Sequence, residues 1–77
     1  MSDTVWSERH PSVRHFERLF AYDHLPPHLR EISQPFGELA ERLLALLPDD
    51  NPEVAAGLRK LVEAKDCAVR ARVASAA

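Results

Sequence analysis

A chain of 77 residues makes one domain at most, and at that size it buries only about 60% of its unfolded surface, so a disulfide, a metal or partner chains must add stability. Cys67 is the only cysteine, which excludes an internal disulfide and a multi-cysteine zinc site and leaves oligomerisation. With 10 basic and 12 acidic residues and a formal charge of −2, the chain lacks the basic field of a DNA or RNA binder, though a small anion needs only two or three placed cations.

No apolar run reaches the roughly 20 residues of a membrane span. The opening Met-Ser-Asp-Thr-Val-Trp lacks the basic and apolar regions of a secretory signal. Together with a free thiol, this points to a reducing cytoplasm.

Residues 1–9 carry no clear period and read as a flexible tail, with Trp6 a packing or interface residue. Residues 10–77 read as a single helical domain. His10-Pro11-Ser12 opens a short first helix, because proline suits a first turn. Val13, Phe16 and Phe20 fall on one face of it with Leu19 alongside, and Arg14, Glu17 and Arg18 take the other. Residues 21–24 form a connector, since Pro26-Pro27 disfavour helical geometry just before them.

A second helix starts at Pro26-Pro27. Leu25, Leu29, Ile32, Phe36, Leu39, Leu43 and Leu46 follow a heptad seam, the repeat that packs one helix on another. The seam keeps phase through Pro35, so that proline is expected to kink one helix, with Gly37 adding slack, and not to divide two. The helix ends at Leu47, before Pro48-Asp49-Asp50.

The third helix opens with Asn51 as N-cap, Pro52 in the first turn and Glu53 at the positive end of the dipole. It runs towards Ala74. So short a connection predicts antiparallel neighbours. The expected fold is therefore all-α: a short N-terminal helix plus an antiparallel hairpin with a proline-kinked second helix, assembled as a homo-oligomer.

On a helical wheel the third helix presents Val54, Leu58, Leu61, Val62, Ala68 and Val69 on one face. Lys65 falls in the middle of that face with Arg72 near the same line, while Arg59, Glu63, Asp66 and Arg70 form a solvated back. Pairing Leu43 with Leu58 sets Lys65 level with Phe36 and Gly37. Two readings stand: Lys65 lays its stem on apolar surface with its ammonium in water, or it faces an interface pocket and meets an anion. Tyr22 also has two readings, a plug over the end of the hairpin or a stacking platform for a flat ligand such as a nucleobase.

The four histidines, His10, His15, His24 and His28, join no Cys or carboxylate cluster at a metal-binding spacing, so neither a metal nor a cofactor is expected. No glycine-rich phosphate loop, nucleophile motif or paired-carboxylate arrangement suggests an enzyme.

Three segments carry a resemblance: residues 20–29, FAYDHLPPHL; residues 33–36, SQPF; and residues 58–71, LRKLVEAKDCAVRA. Over residues 10–73 the chain resembles the phage anti-CBASS sponge proteins, which counter the bacterial cyclic-oligonucleotide antiphage system. The resemblance implies a cytoplasmic homo-oligomer, hexameric in known members, that captures cyclic dinucleotides such as cyclic GMP-AMP between protomers without cleaving them. Some members also hold cyclic trinucleotides around the three-fold axis.

In that family a tyrosine just before the second helix stacks on a base, a role that passes to Tyr22. A lysine in the middle of the second helix meets the phosphates, but residues 33–37 here hold none. Lys65 is the substitute candidate, with Arg30 and Arg72 behind it, and His24 completes the candidate ligand-binding set. The alternative function is a helical oligomeric adaptor that binds another protein through its heptad seam.

Overall fold

The computed structural model describes residues 3–47 and 49–76. All its regular elements are helices: α1 (Asp3–Ser7), α2 (Pro11–Arg14), α3 (Pro27–Leu46) and α4 (Pro52–Ala76). At about 1.5 Å per residue, 25 residues of α4 span roughly 37 Å, which accounts for most of the 42 Å long axis.

The ends of the long helices follow from local chemistry. Asn51 caps α4, its Oδ1 accepting from the Glu53 backbone N–H at 2.9 Å. At the start of α3, Pro26 and Pro27 bring no backbone N–H that needs a partner, and the Pro26 carbonyl accepts from Leu29 and Arg30 at 3.0 and 2.8 Å. Helix α3 runs unbroken through Pro35, which lies on its exposed side. Leu47 closes α3 as its C-cap; Pro48, expected to stop it, lies outside the described residues.

The N-terminal segment departs from expectation. Residues 3–9 are no bare tail: they include α1, and Trp6 is 1% exposed, stacked on Phe20 with ring centroids 6.2 Å apart. A lone tryptophan supplies more burial than any other side chain here, and that draws the segment in. The segment is also pinned at its end. The Asp50 carboxylate receives the Arg9 guanidinium at 2.8 Å and the His10 backbone N–H at 2.7 Å.

The expected first helix covers only Pro11–Arg14 as α-helix, and residues 15–19 continue as hydrogen-bonded turns. Its expected inner face nevertheless holds. Val13, Phe16 and Phe20 are buried, and Leu19 stays 40% exposed.

The largest correction concerns the heptad seam. The buried residues of α3 are Ser33, Gly37, Ala40 and Leu44, a stripe that is mostly small. The seam lies about a quarter turn away on the helix surface, at about 100° per residue. Leu25, Leu29, Ile32 and Phe36 are only partly buried, while Leu39, Leu43 and Leu46 are 44%, 36% and 68% exposed.

Volume explains the choice. The N-terminal segment brings Trp6, Phe16 and Phe20 to the core, and bulky rings seat against a flank of small side chains more closely than against leucines. Gly37 is a close contact point. A Cβ there would lie 2.9 Å from the Phe20 carbonyl oxygen and 3.0 Å from Tyr22 Cε2.

The face expected for α4 is largely as read. Val54 and Leu58 are buried, Leu61, Val62, Ala68 and Val69 partly so, and Arg59, Glu63 and Arg70 are exposed. Arg59 also lies over the Phe16 ring, 5.7 Å from its centroid.

Candidate functional site

The connector between α2 and α3 carries Tyr22 and is held by side chains from both long helices. Lys65 Nζ, from the middle of α4, donates to the Leu19 carbonyl at 2.7 Å. Arg30, in the first turns of α3, donates through Nη2 to the Leu25 carbonyl at 3.0 Å. Arg72, near the end of α4, donates through Nη1 to the His28 carbonyl at 3.1 Å and to Glu31 Oε1 at 2.9 Å. Two of the candidate cations thus hold main-chain carbonyls of the connector, and the third holds one in the first turn of α3.

Lys65 is engaged within the chain. Its side chain is 14% exposed, so the ammonium is not in open water, and it does not stand over an unfilled space at Gly37. That space is taken by the Phe20 carbonyl and the Tyr22 ring. A second bond, 3.1 Å to Asp66 Oδ1, offsets part of the charge. An ammonium has three donors, so one remains after Leu19 and Asp66.

Arg30 has the clearest unused capacity: its Nε is buried and lacks a hydrogen-bond partner. A guanidinium carries five N–H donors in a fixed fork that suits phosphate geometry. Arg72, with Nη1 engaged, keeps donors free on a side chain that is 34% exposed.

Tyr22 sits with the Cδ2–Cε2 edge of its ring against Gly37 and remains partly exposed. Its phenol is held above the usual tyrosine pKa, first by burial and then by the negative charges of Glu38, Glu41 and Asp23. The ring is therefore kept neutral at physiological pH. His24 is exposed and makes no side-chain contact that fixes it.

The anchoring of the N-terminal segment by Arg9, His10 and Asp50 was not read from the sequence. One signal was present. Asn51 satisfies the helix cap, so Asp50 beside it is a carboxylate without a capping task, free to take Arg9. Ser33 was missed too: it is fully buried with its Oγ lacking a partner, valued for its small volume and not for its hydroxyl.

Among the described residues no three His, Cys, Asp or Glu side chains cluster to hold a metal ion, and no helix is long and apolar enough to cross a membrane. No protein-family model, curated protein or solved structure matches the chain.

Proposed function

We propose that the chain is a phage anti-defence protein that sequesters cyclic dinucleotides of the bacterial CBASS system, cyclic GMP-AMP among them, without cleaving them. In this reading α3 and α4 form an antiparallel hairpin, several copies assemble, as a hexamer in the family resembled, and ligand lies between protomers. It works in the cytoplasm of the infected host, and cyclic trinucleotides are a second ligand class for the same oligomer.

The observation that carries the reading is that Tyr22 lies in a segment whose main-chain carbonyls, at Leu19, Leu25 and His28, are held by Lys65, Arg30 and Arg72. A cyclic dinucleotide offers two flat bases and two phosphate charges. A neutral, partly exposed tyrosine ring suits the first, and spare donors on held cations suit the second. Arg72 is the most accessible of the three, 34% exposed with donors beyond Nη1 unspent, while Arg30 is part-buried with its Nε enclosed. Lys65, already bound to Leu19 and Asp66, ranks behind Arg72. His24, exposed at the connector, is an edge contact.

Self-assembly is supported by the leucines that the fold leaves out. Leu39, Leu43, Leu46 and Leu47 remain between 36% and 68% exposed on one small chain, and an exposed apolar stripe of this kind is a candidate interaction surface. The same exposure favours a second reading, a helical adaptor that offers this stripe to a different protein.

Calorimetric titration with a panel of cyclic di- and trinucleotides separates the two. The sponge should bind at least one with submicromolar affinity and release it chemically intact when denatured. Failure to bind any member of the panel favours the adaptor, and recovery of linear products would make the protein a hydrolase.

A further inference from the structure

Helix α4 has a second stripe that the chain's own core does not use. Glu53, Gly57, Lys60 and Ala64 are spaced four, three and four, so they line one side of the helix, and all four are exposed. Facing them across an open groove of about 400 Å³ stand Leu43 of α3 and its C-cap Leu47.

Gly57 needs an explanation. Glycine weakens a helix interior, and at Gly37 close approach of the connector accounts for it. At Gly57 a Cβ would meet nothing within 4 Å. Its own fold gives no reason for the missing side chain.

The charges beside it supply one. Glu53 and Lys60 flank Gly57 with opposite signs, seven positions or about 10 Å apart along the axis. Neither makes an ion pair or side-chain hydrogen bond among the described residues. A stripe that is negative on one side of a small residue and positive on the other is complementary to itself after a half turn. That is the requirement for an isologous contact.

We propose that this groove is the docking surface for a second copy of the chain, with α4 crossing α4 antiparallel about a two-fold axis near Gly57. Glu53 of each copy pairs with Lys60 of the other, and Leu43 of each fills the space above the partner's Gly57. The proposal rests on the homo-oligomer reading and names the surface that builds it.

The test uses the full chain in sedimentation velocity at low salt, with circular dichroism to confirm helicity. Glu53→Lys and Lys60→Glu each place two like-charge contacts on the dyad, so each should raise the self-dissociation constant at least tenfold. The double exchange should restore it to within about threefold, although its helix start is less favourable. Gly57→Ala supplies a variant that cannot fail through loss of helix: it should raise the thermal midpoint of the dilute chain yet weaken self-association. Singles that assemble like the wild type overturn the proposal, move the self-interface elsewhere and leave the groove to another protein, with the homo-oligomer intact. A wild type that stays monomeric at micromolar concentration overturns the oligomer reading itself and the proposal with it.

Discussion

Lys65 donates to the carbonyl oxygen of Leu19 across 2.7 Å, tying the middle of α4 to a residue 46 positions earlier. The bond converts a lysine on an apolar helix face into a strut for the connector. It also sets a sign. Were the ammonium merely reaching water, replacing it with an apolar group would leave stability unchanged or raised.

Lys65→Met keeps the stem and removes the charge, leaving the Leu19 carbonyl without its donor. A hydrogen bond to a charged group is worth about 1.5–3 kcal/mol, and the pair with half-exposed Asp66 adds little. Urea denaturation should therefore show a loss of about 1–2 kcal/mol, a fall of roughly 4–15 °C in Tm for a domain of this size. Equal or greater stability in the variant would mean that the strut carries no weight.

Trp6→Ala tests the N-terminal segment. The side chain is 1% exposed and stacked on Phe20, so its removal opens the core. Such truncations cost about 3–5 kcal/mol, a large share of the roughly 4–12 kcal/mol that a domain of this length commands. Thermal melts by circular dichroism should show a severely lowered midpoint. A shift of only a degree or two would return the segment to the status of a tail.

Much of the fold was legible because it rests on local signals. Asn51 and Pro52 marked the start of α4, the proline pair marked the start of α3, and Val13, Phe16 and Phe20 marked one buried face. The face that α3 turns inward was not legible. Hydrophobic spacing picks out the leucines, whereas packing against aromatic rings selects the small stripe Ser33, Gly37 and Ala40. Which stripe wins depends on the volume of the partner, and the partner here includes Trp6, in a segment without periodicity. At the site, Tyr22 and the cations were readable as residue types, but each cation also holds a main-chain carbonyl, which leaves no mark in a sequence.

Gly37→Ala should destabilise, against the usual trend. In a free helix the change gains about 1 kcal/mol. Here the new Cβ would sit 2.9 Å from the Phe20 carbonyl oxygen, a main-chain atom that cannot swing away as a side-chain tip can. Overpacking of this kind costs about 1–3 kcal/mol, so the net effect is a loss, accompanied by a changed near-ultraviolet tyrosine signal. A variant more stable than the wild type would show that the connector yields without cost.

Tyr22→Ala and Tyr22→Phe divide stacking from packing at the proposed ligand site. Removing the ring should weaken cyclic dinucleotide binding by about 1–3 kcal/mol, roughly ten- to hundredfold. Tyr22→Phe retains the π-face and should bind within a few-fold of wild type. If both variants bind as the wild type does, the ring serves only to cover Gly37. The oligomer should persist in both, checked by light scattering.

Alkaline titration gives an independent view of the same ring, because Tyr22 is the only tyrosine in the chain. Burial, then Glu38, Glu41 and Asp23, hold its phenol above the ordinary value of about 10. Between the unfolded and folded values the native chain keeps a proton that the unfolded chain has released. The stabilisation is therefore fully present below about pH 10 and is lost as pH rises through the folded pKa. Phenolate absorbance should rise later than in the denatured protein. Stability measured against pH should decline more steeply above pH 10 in the wild type than in Tyr22→Phe, which has no proton to lose. Comparison with Tyr22→Phe removes the contribution of every other group that titrates at alkaline pH. A phenolate that forms at the free-tyrosine value would place the ring in water and undo its packing on Gly37.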